Sequence, residues 1–153
     1  MSSEKLLVVG PSGVALGLVL ASAGILGTVY ASQYWGGLAP CELCLYQRWP
    51  WWIVGGLGLL ALWVVSRPRL WRFAIGFCGL TLMAGAALGV YHVGVEQHWW
   101  LGPASCTSSG TPASLEELKA QILATPVVLC DQIRWSLFGI TLAGFNAIAS
   151  FIV

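Results

Sequence analysis

The sequence predicts an all-α membrane protein, a bundle of four transmembrane helices in a single domain over residues 1–153, and three observations lead there. The chain is 58% hydrophobic and 8% charged, against about 25% charged residues in an ordinary soluble domain. Four stretches lack charge altogether, Leu6 to Pro40, Trp49 to Ser66, Phe73 to Val95 and Trp135 to Val153, and each meets or approaches the roughly 20 apolar residues that a bilayer core requires. Aromatic residues gather where these stretches end, as they do at membrane interfaces. A net charge of +1 supplies no basic field for nucleic acid.

Spans are expected over about 8–33, 49–66, 73–95 and 135–153, with outer loops over about 34–48 and 97–134. The first helix starts near Val8, accommodates Pro11 in its opening turns and stops before Gly36-Gly37. Its apolar part far exceeds the roughly 7–15 residues of a signal-peptide core, so it is read as a retained span although Ala21-Ser22-Ala23 imitates a cleavage site. Gly13 and Gly17 make a small-xxx-small pair suited to close helix packing. Trp49-Pro50-Trp51-Trp52 opens the second span, with the proline in a first turn. The connection Ser66-Arg67-Pro68-Arg69-Leu70-Trp71-Arg72 has three arginines and no acid, which places it in the cytoplasm. Both termini follow it there. Cysteines 41, 44, 106 and 130 then lie on the outer, oxidising side, with Glu42, Glu96, Glu116, Glu117 and Asp131.

Cys78, alone in the third span, reads as packing material. Gly85, Gly89, His92 and Glu96 recur at steps of four, three and four and draw one helix face, first small and then polar. That face should look into the bundle, because ionisable groups at membrane depth are costly unless they pair or serve a function. His98, beside Trp99 and Trp100, reads as solvated. In the second outer loop Ser114 and Glu117 fit a capping box, and Leu115, Leu118, Ile122 and Leu123 form a stripe. A short amphipathic helix lying on the membrane surface is expected there. Cys106 and Cys130 stand on either side of it, and a disulfide between them would close a loop across the helix.

Pro40-Cys41-Glu42-Leu43-Cys44-Leu45-Tyr46-Gln47-Arg48 is the stretch that points to chemistry. A C-x-x-C pair closes a redox disulfide, clamps a metal or rests as buried thiols. Structural zinc sites of this type have a second close pair, whereas Cys106 and Cys130 are 24 positions apart; no metal is expected. Two structural disulfides stapling the loops remain an alternative. The redox reading rests on a thiolate at Cys44, placed at a helix N-terminus with Arg48 one turn on. Electrons leaving a membrane-embedded pair need a lipid-soluble acceptor such as a quinone, whose carbonyl Arg48 and His92 can hydrogen-bond.

Cys41-Glu42-Leu43-Cys44-Leu45-Tyr46-Gln47-Arg48, the four spans, the second cysteine pair, and Cys130-Asp131 leading into Trp135-Ser136-Leu137-Phe138-Gly139 resemble the disulfide bond formation protein B family over nearly the whole chain. The resemblance implies a bacterial inner-membrane protein-dithiol:quinone oxidoreductase, its active cysteines facing the periplasm. It would reoxidise a DsbA-like thioredoxin-fold protein and reduce ubiquinone or menaquinone. It also implies a Cys106–Cys130 disulfide attacked by the partner, with Cys106 forming the mixed bond. Cys41 would then link to the loop and Cys44 would face the quinone. Arg48 matches the family's quinone-site arginine; His92 and, more weakly, Glu96 join it by position. Two alternatives remain: a quinone reductase resembling the vitamin K epoxide reductase group, disfavoured because its C-x-x-C sits late in the bundle, and a disulfide-stapled membrane scaffold without turnover.

Overall fold

The computed structural model describes residues 10–107, 114–116, 119, 123 and 128–153. The elements whose full extent is described are α1 (Pro11–Tyr34), α2 (Glu42–Tyr46), α3 (Arg48–Trp63), α4 (Pro68–Glu96), β1 (Ser136–Leu137), β2 (Ile140–Thr141) and α5 (Leu142–Ile152). α1 packs on α3, α3 on α4, and α4 on α5. The expected start of the first helix at Val8 and most of the amphipathic helix beyond Ser114 lie outside the described residues.

α1 and α4, at 24 and 29 residues, are long and apolar enough to cross a membrane, with mean hydropathy of 2.0 and 1.9 over their most apolar windows. Only 22% and 28% of those windows is buried inside the protein. The core helix of a soluble protein would be mostly covered, whereas here Leu20, Phe73, Phe77, Leu80 and Met83 point outward. Inside α1 the hydroxyls of Thr28 and Ser32 donate to the carbonyls four residues back, which satisfies them without water.

Three boundaries differ from the sequence expectation. α4 begins at Pro68, not near Phe73, because proline fits the first helical turn; Arg69 and Arg72 are therefore helical and the connection shrinks to Val64–Arg67. α3 is 16 residues long and α5 is 11, both short of a full bilayer crossing. The last span, expected from Trp135, is helical only from Leu142. Phe138 and Gly139 both adopt positive φ (52° and 79°), a two-residue reversal that pairs β1 with β2, and Thr141 then caps α5 by accepting from the Gly144 N–H.

One cluster of the core joins Leu18 and Leu26 of α1, Trp51 and Val54 of α3, and Cys78 and Leu82 of α4. Cys78 thus sits where its packing reading put it. The Gly13–Gly17 pair does not make the expected close approach: both are exposed, and a Cβ at Gly17 would meet nothing within 4 Å. The tight crossing lies one face over, where Gly58 abuts Val19 and the Ala15 carbonyl. The α4 face does look inward, with Gly85 against Pro50 and Gly89 against Ala147.

α4 ends at Glu96 with Gln97 as its cap, and His98 takes a left-handed conformation (φ 58°) that turns the chain back. Trp100 then lies flat on Gly94, at a spot any Cβ would fill, stacks on Tyr91 at 6.1 Å and donates its indole N–H to the Tyr91 carbonyl. This fold-back steers the loop carrying Cys106 over the end of α4.

Gly89→Ala should destabilise the fold by about 1–3 kcal/mol, because its Cβ would stand 2.8 Å from Ala147 Cβ and 3.0 Å from that residue's backbone. Gly17→Ala should be neutral or stabilising by up to about 1 kcal/mol. Denaturation of the two variants in detergent compares them directly.

Candidate active site

Cys41 is the N-cap of α2: it holds an extended conformation, and its Sγ accepts the Cys44 N–H at 3.3 Å. The three-residue spacing brings Cys44 Sγ to 2.8 Å from Cys41 Sγ. His92, one turn from the end of α4, reaches the same sulfur with Nε2 at 3.6 Å. On the other side of that ring the Gln47 amide nitrogen donates to Nδ1 at 2.6 Å. With the amide so placed the ring proton belongs on Nε2, facing Cys41 and, at 3.9 Å, Glu96 Oε1.

These contacts decide which sulfur is the better anion. The Cys44 thiol donates to Cys41, and His92 adds a second hydrogen bond and its charge; against the opposing effect of burial they lower Cys41 to about 5. Cys44 moves up, because it holds its proton for Cys41 and is itself desolvated. The Cys44 N–H and the His92 ring both converge on Cys41, so these contacts favour the anion there, whereas the sequence pattern expects it at Cys44. The physical reason is that the helix begins at Glu42, so the cap position and its amide fall to Cys41, while Arg48 lies in the next helix with its guanidinium 4.8 Å over the Tyr30 ring.

Cys106 and Cys130 form a disulfide, 24 residues apart in sequence, while Cys41, Cys44 and Cys78 are thiols. Cys41, Cys106 and Cys130 belong to one buried cluster with Leu43, Val95 and Val128. Two hydrogen bonds tie these parts as well: the Cys130 N–H donates to the Cys106 carbonyl, and the Ser105 hydroxyl donates to the Glu42 carboxylate at 2.5 Å. Cys44, on the edge of this cluster, also lines a cleft of about 110 Å³. Ile25, Leu26, Val29 and Leu142 give the cleft an apolar wall, and Gln47, Arg48, Trp51, His92 and Asn146 supply its polar groups. Among the described residues, two buried donors there have no partner, Arg48 Nε and Asn146 Nδ2.

Six of the seven residues expected from sequence meet here: the four cysteines, Arg48 and His92. Glu96 is buried behind His92, hydrogen-bonds Thr141, and does not line the cleft. Sequence reasoning missed Gln47, Trp51 and Asn146. Asn146 was the findable one, as an amide inside an otherwise apolar run; its Oδ1 accepts from Trp51 Nε1 at 2.7 Å.

The family model described as disulfide bond formation protein DsbB matches residues 11–153. The chain belongs to the DsbB family. Disulfide bond formation protein B 2 of Pseudomonas savastanoi pv. phaseolicola (strain 1448A / Race 6) is 33% identical over 140 residues, covering 85% of this chain and 76% of the relative. Disulfide bond formation protein B of Hahella chejuensis (strain KCTC 2396) is 28% identical over 142 residues, covering 85% and 81%. An uncharacterised protein of Rickettsia prowazekii (strain Madrid E) is 26% identical over 136 residues, covering 86% and 77%. No solved structure matches. As a DsbB-family chain with apolar, outward-facing helices, this is a membrane protein and an oxidoreductase of disulfide bond formation.

In the dithiol form, ultraviolet thiolate absorbance should appear as pH rises through about 5 and vanish in Cys41→Ser. Cys44→Ser and His92→Gln should each move the midpoint upward, since each removes a donor to that sulfur. An unmoved midpoint in both variants would assign the thiolate to another cysteine.

Proposed function

We propose that this DsbB-family protein oxidises a periplasmic thioredoxin-fold dithiol protein and passes the two electrons to a membrane quinone. The observation that supports the reading best is the position of Cys44. It sits between a cluster that holds the Cys106–Cys130 disulfide and an apolar cleft whose unpartnered donors, Arg48 Nε and Asn146 Nδ2, await an acceptor. Buried donors without partners cost about 1–3 kcal/mol each, and a ligand with carbonyl oxygens and an apolar body relieves that cost. A quinone, when bound, supplies a two-electron, two-proton acceptor.

The exchange balances in three stages. The partner's thiolate attacks Cys106 Sγ, breaking the Cys106–Cys130 bond, and its second thiol displaces Cys106; the partner leaves as a disulfide and Cys106 and Cys130 remain as thiols. That dithiol reduces a Cys41–Cys44 disulfide and re-forms its own bond. A disulfide at Cys106–Cys130 with thiols at Cys41 and Cys44 is the arrangement after this second stage. In the third stage the Cys41–Cys44 bond closes again, Cys44 facing the acceptor, and two electrons and two protons leave. Cys41 as thiolate attacks readily, and His92 Nε2, its proton held there by the Gln47 amide on Nδ1, donates to that sulfur and steadies its anion.

Arg67 before α4, with Arg69 and Arg72 in its first turns, supports an orientation with that end in the cytoplasm and the cysteine cluster, at the opposite end of α4, in the periplasm of a bacterial inner membrane. Four crossings, with α3 and α5 as the shorter two, belong to the same reading. Ubiquinone and menaquinone both fit its chemistry.

Mixed with a reduced thioredoxin-fold dithiol protein and a soluble quinone, the purified chain should form quinol, and Cys44→Ala should abolish it. Arg48→His and Asn146→Leu should raise the apparent quinone KM about ten-fold or more, the loss of one buried hydrogen bond of about 1.5 kcal/mol, without preventing the cysteines from pairing. No quinol from the intact protein would sink the proposal. After reduction, a thiol reagent that cannot cross the membrane should reach Cys106 from the outside; labelling from the cytoplasmic side alone would reverse the orientation.

A further inference from the structure

Among the described residues, Cys41, Cys44 and His92 are the group whose sulfur and nitrogen atoms converge as metal ligands do, all within 4.8 Å of one another. We propose that the reduced pair, together with His92, forms a redox-gated site for a borderline-soft divalent cation of the zinc type.

The geometry fits one centre. Zinc bonds of about 2.3 Å to sulfur and 2.0–2.1 Å to imidazole, at a tetrahedral angle, separate sulfur from nitrogen by about 3.5 Å and sulfur from sulfur by about 3.8 Å. Cys41 Sγ and His92 Nε2 already stand 3.6 Å apart. The two sulfurs, at 2.8 Å, need to part by about 1 Å, and Cys44 is the half-buried member of the pair, next to the open cleft. Two thiolates neutralise a divalent ion, so the filled site adds no net charge to a buried place. Gln47 already stands where a ligating histidine needs a partner, on Nδ1; with the ring proton moved there, the amide turns its oxygen to accept it, the usual outer support of such a ligand. The fourth position faces the cleft, since Cys44 and His92 both line it. Three protein ligands and one open position make a labile centre that takes a further small donor from the cleft.

Binding exchanges protons for the ion: each thiol that ligates releases one, and no electron moves. Closing the Cys41–Cys44 bond removes both thiolates, so the same event that completes a redox cycle abolishes the site. The ion would hold the pair reduced and arrest turnover. That consequence rests on the proposed redox function; the binding does not.

The test titrates Co²⁺ and then Zn²⁺ into the full chain in detergent, reduced with a non-coordinating phosphine, and repeats it on a Cys106→Ser, Cys130→Ser double variant in which the other pair cannot contribute. Expected is one Co²⁺ per chain in both, with the intense visible bands of tetrahedral thiolate coordination, displaced by Zn²⁺. Oxidation should abolish uptake, Cys44→Ala in the double variant should weaken binding at least ten-fold and cut the thiolate band intensity, and His92→Gln should weaken binding at least ten-fold. Uptake that survives oxidation, is indifferent to Cys44 or His92, or shows only weak octahedral bands would overturn the proposal. Intact binding in a protein that forms no quinol would overturn the redox function and leave this site standing.

Discussion

The structure depends on a single crowded junction, the contact of Cys41 Sγ with the Cys44 N–H, the Cys44 thiol and the His92 ring. Three donors converge on one sulfur in a place that is 4% exposed. Burial alone would keep that sulfur protonated; the donors outweigh it, and the anion is favoured. Because one of those donors is its own partner in the C-x-x-C, stabilising Cys41 as a thiolate keeps Cys44 protonated. The asymmetry of the pair is therefore built into its hydrogen bonds and needs no distant charge.

Much of the remaining fold serves to bring His92 to that sulfur. α4 must approach α3 and α5 closely for a residue near its end to be buried, and Gly85 and Gly89 permit it by letting Pro50 and Ala147 into the space a side chain would take. The chain then reverses at His98, and the Trp100 ring on Gly94 clamps the returning loop. Cys106 arrives over Cys41 as a result. The Ser105–Glu42 hydrogen bond sits one residue from a cysteine of each pair and ties the two segments together.

The C-x-x-C with Arg48 and the inward face of α4 were legible in the sequence, because each depends on local spacing. Helical period alone put Gly85, Gly89, His92 and Glu96 together. The choice of thiolate was not legible in the same way. It turned on whether the helix started at Glu42 or near Cys44, a shift of two residues that hands the free amide to a different sulfur. The hairpin before α5 was hidden for another reason: Trp135 to Gly139 is as apolar as the helix that follows, and only the positive φ values at Phe138 and Gly139 separate them. Gly13 and Gly17 have the spacing of a packing motif, yet which face of an apolar helix turns inward is decided by its neighbours, here Gly58 and Ala15. Asn146 was visible as a polar residue in an apolar run, but its Trp51 partner lies 95 positions away.

Glu96 shows how a helical period finds a neighbour without fixing what it touches. It falls on the same helix face as His92, one turn on, and that position joins it only weakly to the expected quinone-site residues. In the structure the ring of His92 stands between them, with Nε2 turned toward Cys41 and Glu96 Oε1 alike. A carboxylate in that position acts on the sulfur through the imidazole: it favours the proton on Nε2, the nitrogen that must donate if Cys41 is to remain an anion. Gln47 enforces the same tautomer from the opposite side by donating to Nδ1. The histidine is thus oriented twice, by a donor on one nitrogen and an acceptor near the other. The fold thereby aims the Nε2 proton at the Cys41 sulfur.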